Sequence, residues 1–185
     1  MFPKIDVNSE YKLGIPEKRI ITFLDIEGVI SKNTDKLYDH DLYKTREYLA
    51  QKYKDDIYLK IREVDIGHAF YDWDPICLGR LRNYLDKTES EIVIHSDWRI
   101  GNCLETMRAL FKIHGMDEYI LDVLPATKNK IEAIRDYLES ENDNIENHVV
   151  IDDDDKLRVF GDHFVLVKKR LNSRNLKEAE RILIG

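Results

Sequence analysis

Five short apolar runs recur along the chain: Arg19-Ile20-Ile21-Thr22-Phe23-Leu24, Glu91-Ile92-Val93-Ile94-His95, Tyr119-Ile120-Leu121-Asp122-Val123-Leu124, His148-Val149-Val150-Ile151 and His163-Phe164-Val165-Leu166-Val167. They are continuous rather than alternating, as expected of strands covered on both faces in a mainly parallel sheet. Between them the apolar positions change to helical spacing. Ile76, Leu78, Leu81 and Leu85 mark a helix over 74–87, Leu104, Met107, Leu110 and Phe111 one over 103–114, and Ile131, Ile134 and Leu138 one over 130–140. Strands alternating with helices predict an α/β fold, a Rossmann-like three-layer sandwich of about five mainly parallel strands with the first strand central.

The segment 31–72 interrupts this rhythm and reads as an insertion, with a helix over 41–53 and a short strand at Ile57-Tyr58-Leu59-Lys60-Ile61. Long excursions directly after a strand's carboxyl end are where lids and caps over α/β sites sit, so a small cap is predicted here. Tyr38, Tyr43, Tyr48, Tyr53 and Tyr58 recur every five residues, which suits either a stacking surface for bases or a partly buried cap surface. The tract 139–155 holds eight acids and no Lys or Arg; its first part, with Asn142, Asp143, Asn144 and Asn147, reads as a solvated loop.

Composition narrows the class. The 185 residues are 43% hydrophobic and 35% charged with 8 Gly and 4 Pro, which excludes collagen-like, low-complexity and wholly disordered chains and fits one domain. No apolar run approaches the roughly 18 residues of a membrane span, and the first residues carry no basic-then-apolar leader, so a cytoplasmic protein without a membrane partner is expected. Cys77 and Cys103 lack metal-type spacing and read as two small core residues in a reducing compartment. The net charge of −7 argues against a nonspecific DNA coat. It is uneven: residues 156–185 hold eight Lys/Arg against three acids, +5, leaving −12 on the first 155. The basic end is either a solvated surface or a positive potential beside an anion site.

The acids that matter end strands. Asp25 closes the first run and is followed by Gly28, which permits a sharp turn, and Asp152-Asp153 close the fourth. Open α/β sheets bind ligands outside the carboxyl ends of their strands, so these acids converge despite their separation in sequence. Converging carboxylates call for a cation, and hard oxygen ligands suit Mg²⁺, whereas the His/Cys set of zinc is absent. Ser96 ends the second run beside a helix N-terminus that favours anions, and Lys130, or alternatively Lys128, begins the helix before the fourth strand and offsets the charge. The six histidines, His40, His68, His95, His114, His148 and His163, have no close metal pairing and are assigned to core or surface. Trp98 and Arg99 either steady the turn after Ser96 or meet substrate.

In this order the set resembles the haloacid dehalogenase-like (HAD) superfamily of phosphohydrolases: Asp25-Ile26-Glu27-Gly28-Val29 is similar to its first motif, Ser96 to the second, Lys130 to the third and Asp152-Asp153 to the fourth. More narrowly, Phe70-Tyr71-Asp72-Trp73 leading to Ile92-Val93-Ile94-His95-Ser96-Asp97-Trp98-Arg99 is similar to the branch named for Swiss Army knife RNA repair proteins, with Asp97 where a second serine is typical. The resemblance implies one HAD-like domain over 1–185 and a Mg²⁺-dependent phosphomonoester hydrolase. Asp25 would be the nucleophile that forms an aspartyl-phosphate, and the metal would be held by Asp25, the Glu27 carbonyl and Asp152 or Asp153. Ser96 and Lys130 would hold phosphoryl oxygens. The substrate would be a phosphorylated small molecule, a nucleotide or a nucleic-acid end. Glu27 stands where the family carries a second aspartate as acid–base group. Three outcomes stay open: Glu27 works with a shifted backbone, the enzyme takes better leaving groups, or hydrolysis is lost and phosphate or nucleic-acid binding through the basic C-terminal segment remains.

Overall fold

Strands β1 (Arg19–Leu24), β2 (Ser90–Ile94), β3 (Ile120–Val123), β4 (Ile145–Asp152) and β5 (Phe164–Leu166) form one all-parallel sheet in the order β3-β2-β1-β4-β5, with β1 at its centre. This is the α/β sandwich that the apolar runs predict, seen in a computed structural model that describes residues 18–31 and 41–185. Both faces of β1 are buried, which is why its apolar run is continuous. Ile21 and Phe23 pack with Ala133 and Ile134 of helix α6 (Lys130–Ser140) on one side. Leu24 joins the larger cluster on the other, with α4 (Pro75–Thr88), α5 (Leu104–Lys112) and α7 (Ser173–Ile184). Each such side chain contributes roughly 1.5–3 kcal/mol by leaving water. The one hydroxyl in the run, on Thr22, is satisfied by Tyr84 Oη and Ser90 Oγ, each at 3.0 Å.

Capping groups set where the helices begin. Asp74 accepts from the Ile76 and Cys77 N–H groups ahead of Pro75 in α4, Asn129 accepts from Glu132 N–H at the start of α6, and Asn172 with Asn175 forms a reciprocal cap on α7. The Asn129 cap fixes Lys130 as the first residue of α6, at the carboxyl edge of the sheet.

In the segment expected as an insertion, residues 42–72 are mainly helical: α1 (Leu42–Tyr53), α2 (Ile57–Lys60), α3 (Glu63–Gly67) and a π-helical turn (His68–Asp72). Residues 32–40 of the predicted cap, Tyr38 among them, lie outside the described residues. The strand expected at 57–61 is instead α2. Asp55 accepts the Ile57 N–H at 3.0 Å, and the buried residues Ile57, Tyr58 and Ile61 follow a helical rather than an alternating pattern. Leu49, Tyr58, Ile66 and Trp73 belong to the main core cluster, and Tyr58 Oη donates to Ala109 O on α5 at 2.9 Å. The tyrosines do not share one surface, since Tyr43 and Tyr48 are exposed while Tyr58 is buried and stacks on Tyr53. Of the two cysteines expected in the core, Cys77 is buried but Cys103 is exposed, because it caps the solvent-facing start of α5. The loop expected in the acidic tract ends early: turn hydrogen bonds from Asn144 and Ile145 to Glu141 lead straight into β4.

Candidate active site at the carboxyl edge of the sheet

Register explains why residues far apart in sequence meet. Leu24 pairs with Ile94 on one side and with Ile151 on the other. The next residue on each strand is Asp25, His95 and Asp152, so these three stand in one row across β2, β1 and β4. The row is pinned by Asp25 N–H to Ile151 O at 3.0 Å and His95 N–H to Leu24 O at 3.3 Å. All three are buried, and each offers a ligand atom within 4.8 Å of the other two.

Lys130 bridges the row from the start of α6. Its Nζ donates to Asp25 Oδ1 at 2.8 Å and to Asp152 Oδ2 at 2.9 Å. Lys128, the alternative lysine, points away and pairs with exposed Asp136. Asp152 also accepts from His95 Nε2 at 2.8 Å and from Asp154 N–H at 2.6 Å. Ser96 Oγ donates to Glu27 Oε2 at 2.7 Å, so the second-motif hydroxyl and the glutamate of the first are in contact. Asp25, Glu27, Lys130 and Asp153 share an open cleft of about 730 Å³, bordered also by Asp97 and Lys156. Its lining comes from the loops after β1, β2 and β4 and from the start of α6; among the described residues, none lies within 31–72.

Arg99, which sequence left between structure and substrate, spends its guanidinium on structure. Nε donates to Pro125 O, Nη1 to His95 O and to Asp97 Oδ1, and Nη2 to Lys128 O, which ties the loop after β2 to the loop before α6. Trp98 packs on Trp73. Asp153 is exposed, unlike Asp152, and its carboxylate stands over Gly28: a Cβ built at Gly28, where φ is +72°, would lie 2.0 Å from Asp153 Oδ2. Gly28→Ala is therefore expected to cost about 1–2 kcal/mol for the left-handed backbone, plus the displacement of Asp153, read as a lower urea midpoint.

Charge in the row is frustrated. Burial, with the charge of Asp152 added and Lys130 only partly offsetting both, pushes the Asp25 carboxyl up to about 7. Burial acts on Asp152 in the same sense, but its hydrogen bond to His95 and the charge of Lys130 outweigh it and bring it to about 2. Lys130 is held above its ordinary range, since the two carboxylates outweigh its burial.

The two acids have opposite linkage. Asp25 is raised, so its contribution is fully present below the ordinary 3.8 and is lost as pH rises towards 7; Asp152 is depressed, so its contribution is present above 3.8 and is lost as pH falls towards 2. Urea unfolding of the metal-free protein is expected to show stability falling by on the order of a few kcal/mol between pH 4 and 7, a slope that Asp25→Asn removes.

His95 is the residue that sequence reasoning missed, having assigned it to core or surface. It is indeed in the core, yet it touches Asp152. Aligning the last apolar residues of the three runs, Leu24, Ile94 and Ile151, would have placed it beside the acids.

No curated protein and no solved structure matches this chain. A family model does, over residues 21–173, and its description is the HAD domain in Swiss Army Knife RNA repair proteins. The match spans the strand that leads into Asp25, the loops that carry Ser96 and Lys130, and the end of β4, and on that extent the chain belongs to the family of HAD domains found in Swiss Army Knife RNA repair proteins.

Proposed function

We propose that this protein is a Mg²⁺-dependent phosphomonoester hydrolase that works through an aspartyl-phosphate on Asp25. The observation that carries the reading is the pair of buried carboxylates, Asp25 and Asp152, held by one ammonium, with Asp25 and Lys130 lining an open cleft. Two carboxylates facing one lysine leave negative charge in excess, which a divalent cation with oxygen ligands fits. Asp25, Asp152 and the Glu27 carbonyl would hold Mg²⁺, with Asp153 at the rim. When bound, Mg²⁺ supplies charge neutralisation for nucleophile and phosphate.

The chain's own residues do the rest. An Asp25 oxygen attacks phosphorus in line, the bond from phosphorus to the leaving oxygen breaks, and Glu27 delivers a proton to that oxygen. Water then attacks the aspartyl-phosphate, Glu27 takes its proton, and inorganic phosphate leaves with Asp25 restored. Lys130 and the Ser96 hydroxyl hold phosphoryl oxygens. The family supports a nucleic-acid end as substrate, and so does chain order: the exposed Lys168 and Lys169 lie between Val167, whose N–H bonds Asp152 O, and Leu171, whose N–H bonds Val29 O, on the carboxyl side of the sheet.

The test is phosphate release from an aryl phosphate and from 5′- and 3′-phosphorylated oligonucleotides, with and without Mg²⁺. Release that requires Mg²⁺ is expected; absence of release from every substrate, from folded protein, overturns the reading. A second reading, a module that only binds polyanions, is favoured by the same two lysines. Lys168→Gln with Lys169→Gln is expected to weaken oligonucleotide binding and to lower its salt slope by about 1–2 while aryl phosphate turnover is kept. An unchanged slope would remove these lysines from substrate recognition.

A further inference from the structure

One side chain in the row at the carboxyl edge has no part in the reaction above. His95 is fully buried, with Nε2 2.8 Å from Asp152 Oδ2. An ionised carboxylate only accepts hydrogen bonds, so Nε2 carries the proton; Nδ1, which has no hydrogen-bond partner among the described residues, carries the lone pair. Moving the proton to Nδ1 would leave a buried donor unpaired and aim a lone pair at the carboxylate, so the surroundings select one tautomer. The main chain of His95 is pinned as well, its N–H by Leu24 O and its carbonyl by Arg99 Nη1.

Asp152 is thereby held at both oxygens, Oδ1 by Asp154 N–H and Oδ2 by His95 and Lys130. Lys130 is shared with Asp25, and in the reading above with phosphoryl oxygens too. His95 is the donor to Oδ2 with no second duty. We propose that His95 is a positioning residue: its neutral imidazole, protonated at Nε2, fixes the Asp152 carboxylate towards Asp25, so that a divalent cation meets a preorganised pair. The inference rests on the reading that this site takes Mg²⁺. Groups that orient a ligating carboxylate are typically worth about 10–100-fold in metal affinity.

The experiment compares wild type, His95→Gln and His95→Leu, each checked for folding by circular dichroism. Calorimetric titration with Mg²⁺ reads affinity without any turnover, and ¹⁵N correlation spectra of the imidazole in the metal-free wild type read the tautomer. Expected are the Nε2–H tautomer, Mg²⁺ binding weakened about 10–100-fold in His95→Leu, and most of the loss regained in His95→Gln, which restores an N–H donor. Should His95→Leu fail to fold, His95→Asn, polar but too short to reach Asp152, takes its place with the same expectation. Binding equal to wild type in His95→Leu or His95→Asn, equal losses in the Gln and Leu variants, or an Nδ1–H tautomer each overturn the role of His95 while leaving the hydrolase reading standing. Wild-type protein that binds no Mg²⁺ overturns both.

Discussion

Asp25→Asn is expected to abolish Mg²⁺-dependent phosphate release, by at least about a thousandfold, and at the same time to raise the urea midpoint of the metal-free protein at pH 8. Both halves come from one environment. Asp25 is 1% exposed at the end of the central strand, where it cannot be replaced as nucleophile by an amide of the same shape. Burial, together with the charge of Asp152, opposes its ionised form and lifts its carboxyl to about 7, so at pH 8 the folded protein holds a charge that its surroundings disfavour. Removing that charge leaves Lys130 paired one-to-one with Asp152, a better balanced buried group than one ammonium between two carboxylates. Activity lost with stability gained separates a chemical role from simple unfolding, and it is the trade-off expected where an active site stores electrostatic strain. The measurements are phosphate release and urea unfolding on the same preparations. Residual Mg²⁺-dependent release within tenfold of wild type would remove Asp25 as nucleophile; a lower urea midpoint would show that Lys130 depends on Asp25 more than Asp152 repels it.

The sheet was legible because its central strands are largely buried on both faces, which writes them as unbroken branched-apolar runs, and because Asp25, Ser96 and Asp152 follow directly on those runs. What stayed hidden depends on partners remote in sequence. The 57–61 segment has apolar and aromatic residues that suit a strand, but the turn hydrogen bond from Ile57 N–H to Asp55 and the contact of Tyr58 with α5 select a helix. His95 looked like any core histidine because its meaning lies in register: Ile94 sits opposite Leu24, and no local pattern reports that. The choice between Lys130 and Lys128 was likewise tertiary, decided by which lysine the Asn129 cap aims along the sheet edge and which is left to Asp136.

Glu27→Gln is expected to lower kcat/KM, which covers the steps up to departure of the leaving group, by about 10²–10⁴-fold for an alkyl phosphate and far less for an aryl phosphate. An alkoxide is a poor leaving group and needs a proton as its bond to phosphorus breaks, whereas an aryl oxide departs largely unaided, so the loss should track the leaving group. The extra methylene of glutamate relative to the family's aspartate has a visible use here: it brings Oε2 to 2.7 Å from the Ser96 hydroxyl, so the acid is held by the same side chain that would hold phosphate. Shortening the side chain in Glu27→Asp keeps the proton but gives up that contact, and misplacement by about 1 Å can cost on the order of a hundredfold. The expected order for alkyl substrates is therefore wild type, then Asp, then Gln; for aryl substrates the three converge. The kcat/KM values of matched alkyl and aryl phosphates at saturating Mg²⁺ decide it. An equal loss on both substrates would mean that the Glu27 side chain serves through its hold on Ser96 rather than as the acid. Glu27→Asp exceeding wild type on alkyl substrates would mean that the glutamate restrains the reaction, a site specialised for better leaving groups.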